Sequence, residues 1–480
     1  YFFLYLIHST MFALPNWGFR NTVHAYHSDN AIKLPLKPLT ESKSSSSDDK
    51  QFISLDKFVS TRIPDIKDGS KHLLKPYLFN GALQTLYTFK ADFHNQYPVY
   101  FAREIIDITN DEVIEFKDEF DDLHAGQFTL DYVVDPPTEE LNNEFFKKRC
   151  SETLPEGYPR LHPRCRYYTD NEINELKNSW INDDLPISII VPGLAGGIQE
   201  APIRATCHKL KMQGHHVLVL NQRGCSRSKI TTPYLYTGLS TDDLKYILHR
   251  LHKRYSSNNK RRQFHAIGYS FGGLQIVNYL AKEGKNSLLT SAITISSPWD
   301  LNASMKHISE SVSGHYLFEP SVTFFLMRLV KNNLKVLSEN PDIFTQEKYD
   351  NLKKRIKHSV EFDDEFTCKL VNLPSGRQYY YAASPALRIF NIKTPLLVIN
   401  SMDDPMISTD YPYLDIIKHP WIYMVTTDLG GHYSFIKNNG DFWFPQIIEN
   451  WVESWKEIDV QTPNDIDDNN WNIDSKIPYL

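Results

Sequence analysis

Gly268-Tyr269-Ser270-Phe271-Gly272 stands between a strand-like run, 263–267, and a helix-like run, 274–282. A serine on a sharp turn from strand to helix has a strained backbone. The residues two before and two after it must be nearly free of side chain, so that strand and helix can pass closely. Gly268 and Gly272 meet that need. The pentapeptide therefore predicts an exposed nucleophile, Ser270, although the same pattern also occurs in ordinary glycine-rich turns.

Residues able to assist such a serine follow it in the chain. An apolar run, 395–400, reads as a buried parallel strand and ends at Asp403 and Asp404. A further β-like run, 422–427, leads into Gly430-Gly431-His432. Catalytic groups in open α/β sheets collect at the carboxyl ends of the strands. We therefore predict a triad of Ser270, an aspartate and His432 as general base.

Two adjacent carboxylates compete for the acidic position of this triad. Pro405 fixes the backbone directly after Asp404. The first residue beyond a strand usually starts the turn, so we favour Asp404. Asp403 is then expected to be a solvated or turn-capping carboxylate.

An oxyanion hole needs two backbone N–H groups near the nucleophile. One is predicted from Phe271, the residue after Ser270. The other is predicted from Leu194, because the strand 187–191 runs into Pro192-Gly193-Leu194-Ala195-Gly196-Gly197, whose glycines allow main chain to approach a ligand. The same loop could also be a glycine-rich turn without a catalytic role.

Alternating strand and helix patterns set the expected fold class, α/β. Apolar strands are predicted near Ile187, Val217, Ala266, Ile293, Leu397 and Tyr423. Strand–helix–strand repeats favour a mostly parallel sheet with helices on both faces. The segment at about 302–387 interrupts this pattern and is predicted to be a helical cap. Its amphipathic helix, from Pro320 to Leu337, is expected to pack on the core rather than face a membrane. The apolar residues of the predicted packing face are Val322, Phe325, Leu326, Leu329 and Leu337.

The expected organisation has four parts. Residues 1–50 form an N-terminal tail with a serine-rich linker at 41–50, and residues 51–184 an N-terminal extension. The alternation in 99–120 around Asn110-Asp111 predicts a β-hairpin in that extension. Residues 185–455 form the catalytic domain, and 456–480 an acidic, disordered tail.

Composition narrows the function further. The 480-residue chain is 41% hydrophobic with a net charge of −6, so it can bury a large core and presents no overall basic field to nucleic acid. The five cysteines show no C-x-x-C spacing, which favours free thiols over a disulfide framework or a zinc site. Neither a metal nor a cofactor is expected. No apolar run reaches the length of a membrane-spanning helix, and the apolar start, 1–7, lacks a basic flank, so we expect an intracellular, non-secreted protein.

Several motifs together resemble one family. They are the loop 192–197 followed by Glu200, the segments Asn221 to Ser228 and Ser297 to Leu301, the pentapeptide, Asn400 to Pro405, Gly430 to His432 and, nearer the N-terminus, Pro76 to Tyr87. This set is similar to the fungal branch of the α/β-hydrolase fold, which contains the yeast medium-chain fatty acid ethyl ester synthase/esterases and a monoacylglycerol lipase. The resemblance runs from about Pro15 to about Trp455. One departure is Pro192, where relatives usually have histidine, and it leaves the oxyanion loop less well defined than the triad.

The resemblance implies an α/β-hydrolase fold with the triad Ser270, Asp404 and His432. It also implies serine-dependent acyl transfer, with medium-chain acyl-CoA and ethanol as substrates for synthesis, and ethyl esters or monoacylglycerols for hydrolysis. An esterase or lipase with water as sole acceptor is the alternative, and a non-catalytic scaffold is a third reading. The expected partners are small acyl esters, acyl-CoA and alcohols. The family also implies peripheral association with lipid droplets or membranes.

Overall fold

The computed structural model describes residues 18–38, 51–135, 143–256 and 262–467. Within these residues a large sheet has eleven strands in the spatial order β4-β1-β13-β12-β11-β10-β8-β9-β6-β5-β7. The strands, with a separate β2–β3 pair, are β1 Arg20–His27, β2 Lys33–Pro35, β3 Phe52–Ser54, β4 Lys71–Leu73, β5 Tyr100–Ile108, β6 Gly126–Val134, β7 Cys165–Tyr167, β8 Ile187–Val191, β9 His216–Asn221, β10 Phe264–Tyr269, β11 Ser291–Ile295, β12 Leu396–Ser401 and β13 Ile422–Thr427.

The centre of the sheet is parallel, as the sequence predicts. Strands β9, β8, β10, β11, β12 and β13, in this spatial order, pair in parallel with one another. In the register, Gly268 of β10 lies opposite Val191 of β8 on one side and Thr294 of β11 on the other. The strands therefore deliver the elbow serine, the loop after β8 and the turn after β12 to one edge of the sheet.

Two apolar layers cover the sheet, one on each face. Ile189 and Val398 belong to one buried cluster, while the next residues, Ile190 and Ile399, belong to the other. Side chains alternate between the faces of a strand, so a strand buried on both sides reads as an unbroken apolar run. This is why β8, β10 and β12 look continuously hydrophobic in the sequence.

Helices fill the space around this sheet. The α-helices of the described residues are α1 Leu55–Arg62, α2 Gly81–Lys90, α3 Asn110–Glu115, α4 Asn143–Glu152, α5 Asp170–Ser179, α6 Ala201–Met212, α7 Asp242–Tyr255, α8 Phe271–Glu283, α9 Leu301–Glu310, α10 Glu319–Leu337, α11 Gln346–Arg355, α12 Ser359–Phe362, α13 Cys368–Leu370, α14 Gly376–Ala383, α15 Tyr413–Ile416 and α16 Phe444–Ser454. No helix in these ranges is long and apolar enough to cross a bilayer.

The segment between β11 and β12 is helical and contains α9 to α14. Helix α10 buries Met327, Val330 and Leu337 in a cluster with other residues of the same segment and with Leu235. Phe325, which the sequence places on the packing face, is 48% exposed. The helix therefore packs through a face rotated from the predicted one and leaves aromatic side chains at the surface.

Strands β5, β6 and β7 of the N-terminal extension belong to the large sheet and lengthen it at one edge. Strands β5 and β6 pair antiparallel from Tyr100–Val134 to Ile108–Gly126, and β6 pairs with β9. The predicted hairpin within 99–120 is wrong in its second strand, because Asn110 starts helix α3 instead of a tight turn. Thr109 caps that helix in a capping box with Glu112, which favours a helix start at this point.

The structure also corrects the expectation of a tail at each end. Strand β1 lies within the predicted 1–50 tail but pairs antiparallel with β13, with Val23 opposite Thr427. Within the predicted 456–480 tail, Ile458 and Val460 are buried and their carbonyls accept hydrogen bonds from Gln263. The linker at 41–50, residues 1–17 and residues 468–480 lie outside the described residues. All five cysteines are free thiols.

Candidate active site

Ser270 lies at the junction of β10 and α8 with a strained backbone. Its φ is +50° and its ψ −118°, values that an L-residue seldom adopts. Its N–H donates to the carbonyl of Ile295 (2.9 Å), and its own carbonyl accepts from the N–H of Leu274 (3.1 Å). The turn is thus fixed by both the neighbouring strand and the first turn of the helix.

The two glycines of the pentapeptide make this turn possible by removing side chains. A Cβ at Gly268 would lie 2.5 Å from the Cα of Gly273, and a Cβ at Gly272 would lie 2.2 Å from the carbonyl oxygen of Val191. Both contacts involve backbone atoms, which cannot move aside as a flexible side chain can. The close passage of strand and helix inferred from the sequence is therefore present.

The structure brings the predicted triad residues together. His432 Nε2 lies 2.7 Å from Ser270 Oγ, and His432 Nδ1 lies 2.8 Å from Asp404 Oδ2. His432 and Asp404 are each only 1% exposed, whereas Ser270 is half-buried. A histidine between a hydroxyl and a buried carboxylate can take the hydroxyl proton while the carboxylate stabilises the charged ring.

Asp404 is held by the turn that follows β12. Its Oδ1 accepts from the N–H groups of Met406 (2.8 Å) and Ile407 (3.2 Å), which leaves Oδ2 for the imidazole. Its carbonyl accepts from Nε2 of His307 in α9 (3.0 Å). The turn around Pro405 therefore aims Asp404 at His432, which agrees with the preference for Asp404 over Asp403.

Asp403 has a different position, beside the histidine loop rather than in solvent. Its Oδ1 accepts from the N–H of Gly431 (2.9 Å), and its Oδ2 is buried. Burial, opposed in part by this hydrogen bond and reinforced by the charge of Asp404, raises the pKa of Asp403 to about 7. The expectation of a solvated carboxylate is wrong, because the loop 430–432 folds over it.

The N-terminal extension supports the histidine directly. The His432 N–H donates to Thr85 Oγ1 (2.9 Å), and Thr85 lies in α2. A Cβ at Gly81 would lie 1.8 Å from the carbonyl oxygen of Asp403, so this helix start lies against the turn that bears Asp404. The motifs that predict the triad do not point to Gly81 or Thr85. The only signal for them was the resemblance of the segment Pro76 to Tyr87.

The predicted oxyanion loop lies beside the serine. A Cβ at Gly193 would lie 3.3 Å from Ser270 Cβ. The turn is closed by a hydrogen bond from Gly196 N–H to the carbonyl of Gly193 (2.9 Å), and Ala195 N–H donates to Tyr236 Oη (3.1 Å). Phe271 is the first residue of α8, where N–H groups have no partner inside a helix.

A cavity of about 690 Å³ opens over Ser270 and His432. This size is in the usual range for small-molecule sites. The extension contributes Phe89, the oxyanion loop Leu194, and the cap contributes apolar side chains that include Leu317, Val322 and Phe325. A smaller cavity of about 80 Å³ lies beside it, lined by Leu194, Phe271 and cap residues such as Leu326. The site therefore presents a mainly apolar surface to a ligand.

The large cavity contains an ionisable residue, Glu200, to which the sequence motifs assign no role. Glu200 lines the cavity, and its Oε2 is buried without a hydrogen-bond partner among the described residues. Burial raises the pKa of Glu200 to about 8, so that the carboxyl is neutral at pH 7. A neutral carboxyl leaves the oxyanion loop free of negative charge.

No group of three or more His, Cys, Asp or Glu side chains in the described ranges could hold a metal ion.

Comparisons with known proteins agree with this geometry. Residues 189–439 match the family model of the α/β-hydrolase fold. The medium-chain fatty acid ethyl ester synthase/esterase 2 of Saccharomyces cerevisiae is 36% identical over 461 residues, which cover 93% of this chain and 97% of that protein. The monoacylglycerol lipase of the same yeast is 30% identical over 427 residues, covering 87% of this chain and 88% of the lipase.

Proposed function

The chain belongs to the α/β-hydrolase fold family as an enzyme of the esterase and lipase type, and we propose that it transfers medium-chain acyl groups from acyl-CoA to ethanol through Ser270. The same serine would hydrolyse the resulting esters. The observation that supports the serine route is the 2.7 Å contact between Ser270 Oγ and His432 Nε2, with Asp404 behind the ring.

In the first half-reaction His432 accepts the Ser270 hydroxyl proton at Nε2 while Oγ attacks the acyl carbonyl. The tetrahedral intermediate then collapses, the bond to the leaving group breaks, and His432 returns the proton to that group. The leaving group is the thiol of CoA when a thioester is the donor, or an alcohol when an ester is the donor. The acyl chain remains on Ser270 as an ester.

In the second half-reaction an alcohol or water gives its proton to His432 and attacks the acyl-serine. The bond between the acyl carbon and Ser270 Oγ then breaks, and His432 returns the proton to Oγ. An alcohol yields a new ester, and water yields a free acid, so one site can perform both synthesis and hydrolysis. Asp404 holds Nδ1 protonated throughout and stabilises the imidazolium. We assign the stabilisation of the negative charge on the carbonyl oxygen to the N–H groups of Phe271 and Leu194, which would donate hydrogen bonds to it.

The lining of the cavity supports a fatty acyl group as the part transferred. The cavity over Ser270 is lined by apolar side chains from both the cap and the extension. Burial of each methylene of a chain there is worth about 0.8 kcal/mol. Ethanol as acceptor rests on the name of the ethyl ester synthase/esterase relative. CoA as donor carrier rests on the family resemblance of the sequence motifs.

A second candidate is hydrolysis of monoacylglycerols with water as sole acceptor. The lipase relative, 30% identical over most of both chains, favours this reading. Both candidates use the same serine, histidine and aspartate, and they differ only in the acceptor and in the head group of the donor.

Peripheral attachment to a lipid droplet or an intracellular membrane is also part of the proposal. Aromatic and apolar side chains are exposed in the stretch 312–325, including Val312 at 78%, Tyr316 at 73% and Phe324 at 60%. Leu317 and Phe325 of the same stretch line the cavity over Ser270, so lipid bound there would lie near the mouth of the site. Co-sedimentation with neutral-lipid emulsions tests this, and a protein that stays in the supernatant would count against it.

Product analysis tests the reaction. Wild-type and Ser270→Ala protein are given octanoyl-CoA with ethanol, and separately ethyl octanoate or 1-octanoylglycerol in water. We expect ethyl octanoate from the first mixture and octanoic acid from the others, all dependent on Ser270. Hydrolysis without synthesis would leave the lipase candidate, and no turnover of any of the three would refute both.

A further inference from the structure

A second, strongly basic cavity adjoins the one over Ser270. It has a volume of about 800 Å³ and is lined by the cationic side chains Lys147, Arg160, Arg164, Arg166 and Arg227, with Asp92 as the carboxylate among the described lining residues. Between the two lies a third cavity of about 480 Å³, to which Arg227 and Arg328 contribute. This concentration of positive charge contrasts with the net charge of −6 for the whole chain.

The three cavities share walls. His94 lines both the cavity over Ser270 and the basic cavity. Gln199 and Phe325 line both the cavity over Ser270 and the intermediate one. Arg227 and His162 line both the intermediate cavity and the basic one. The three cavities are therefore adjacent, and the intermediate one lies between the cavity over Ser270 and the arginines.

Several of these guanidinium groups keep donors available. Arg227 donates through one nitrogen, Nη1, to the carbonyls of Arg160 (2.7 Å) and Leu161 (2.9 Å). Arg166 is paired with Glu172 at 2.7 Å, which offsets its charge. Among the described residues, Arg160, Arg227 and Arg328 have no carboxylate within ion-pair distance. Their N–H groups can meet an incoming anion in the forked geometry that suits phosphate.

The backbone is strained at two arginines that line the basic cavity and at the neighbouring Ser226. Arg164 and Arg227 both have φ +63°, and Ser226 has φ +49°. Residues with side chains seldom adopt this region, and such strain persists only where the surroundings enforce it. Arg103 holds one of these residues, Ser226. Its buried guanidinium is paired with Asp131 (2.6 Å) and donates to the carbonyl of Ser226 (2.6 Å).

The field in this region is positive as well. Burial, together with the charges of Arg227 and Arg103, lowers the pKa of His162 to about 4. An anion placed between these groups would be stabilised by them.

We propose that the basic cavity binds the phosphate-bearing nucleotide end of acyl-CoA while the thioester lies over Ser270. This inference rests on the proposed acyl transfer from acyl-CoA. The chemistry of the donor requires two separate but connected sites, because a long, flexible arm separates its thioester from its phosphates. The reactive cavity is mainly apolar, the distal one is cationic, and the intermediate cavity connects them.

Kinetics with two donors test the site. Arg160→Ala and Arg227→Ala are compared with wild type and with Arg250→Ala, a control that removes an exposed arginine from a separate cavity. We expect KM for octanoyl-CoA to rise about tenfold or more in the two test variants, since each loses a charge-assisted contact. KM for ethyl octanoate, which has no phosphate, and kcat for both substrates should stay within about twofold. An equal effect on both donors, or none on octanoyl-CoA, would overturn the proposal.

Calorimetry tests the site without turnover. Adenosine 3′,5′-bisphosphate is titrated into wild type, Arg160→Ala and Arg250→Ala. Binding to wild type and the control, weakened about tenfold in Arg160→Ala, is the expected result, and no binding to wild type overturns the proposal. Should wild type hydrolyse ethyl octanoate yet leave octanoyl-CoA intact, the acyl transfer proposal fails, while this titration still decides whether the site binds phosphate.

An anionic lipid headgroup would present the same phosphate chemistry. Vesicles of phosphatidylcholine with and without phosphatidic acid separate the two sources. We expect Arg160→Ala to leave vesicle binding unchanged. If the variant loses binding to phosphatidic acid vesicles but keeps its affinity for the bisphosphate, the cavity is a headgroup site and the assignment to acyl-CoA is wrong.

Discussion

Replacing Asp404 by asparagine keeps the shape of the side chain but changes what it offers to His432. In the wild type, Oδ1 accepts from the N–H groups of Met406 and Ile407, at 2.8 and 3.2 Å. Only a carbonyl oxygen can take that place in Asp404→Asn. The amide nitrogen must then occupy the position of Oδ2, 2.8 Å from His432 Nδ1.

The consequence for the imidazole follows from this geometry. An amide nitrogen donates, so Nδ1 must accept, and the single proton of the neutral ring moves to Nε2. That nitrogen faces Ser270 Oγ at 2.7 Å and can no longer take its proton. Loss of the base through the wrong tautomer costs about 10,000-fold in kcat, or roughly 5 kcal/mol of transition-state stabilisation.

Asp403→Asn is the matched control, one residue away. Asp403 Oδ1 accepts from the N–H of Gly431, and the amide oxygen of asparagine can do the same. We expect kcat for hydrolysis of ethyl octanoate to stay within about tenfold of wild type. A loss of about 10,000-fold in Asp403→Asn with a mild effect in Asp404→Asn would refute the assignment of the acid.

Asp403→Asn should also change how the free energy of unfolding depends on pH. The pKa of Asp403 is raised to about 7 in the fold, above the roughly 4 of an unfolded aspartate. Between these values the native state binds a proton that the unfolded state does not, so stability falls as pH rises and is lowest above pH 7. Asp403→Asn removes this loss. Its advantage over wild type in urea unfolding should be larger at pH 8 than at pH 5 by on the order of 2 kcal/mol.

Three further changes test other parts of the site. The pKa of Glu200 is raised to about 8, so its negative charge develops only in alkaline solution. We therefore expect the kcat of the wild type to fall above pH 8 and the kcat of Glu200→Gln to stay constant there. Parallel pH profiles of the two proteins would count against this. Gly272→Ala places a Cβ 2.2 Å from the carbonyl oxygen of Val191 and should cost about 2 kcal/mol of stability and about 100-fold in kcat, which melting curves and initial rates can check. Phe325→Ala enlarges the cavity over Ser270. The kcat/KM for dodecanoate esters should therefore rise several-fold relative to that for octanoate esters. An unchanged ratio would contradict an acyl chain beside Phe325.

The parts of the fold that the sequence predicts are those with local causes. The parallel strands are continuous apolar runs because they are buried on both faces, and the elbow needs Gly268 and Gly272 for steric reasons that hold in any context. The triad residues each follow a recognisable strand. Their proximity was therefore predictable, while their catalytic roles remain part of the proposal.

The parts that were missed depend on contacts between distant segments. Strand β1 has a mixed polar and apolar pattern, and its pairing with β13 joins residues about 400 positions apart. Thr85 has no local feature that marks it as a hydrogen-bond partner of His432. Asp403 and Asp404 are chemically identical in the sequence, and only the fold of the loop 430–432 separates a buried, neutralised carboxyl from the one that meets the imidazole.

The cap illustrates the same limit. The helical pattern from Pro320 to Leu337 predicts an amphipathic helix, and α10 is present over Glu319–Leu337. Which of its apolar residues pack depends on partners such as Leu235, which lies far away in the chain. The exposed position of Phe325 at the cavity could not be derived from periodicity alone.

Labelling with a fluorophosphonate, which reacts covalently with activated serines, tests whether Ser270 is an activated nucleophile. Wild type and folded Ser270→Ala protein are treated in parallel, and the labelled peptide is identified by mass spectrometry. We predict one label on wild type, on the peptide that contains Ser270, and none on Ser270→Ala. An unlabelled wild-type protein, or a label that persists in Ser270→Ala, would contradict the account of an activated serine at this turn.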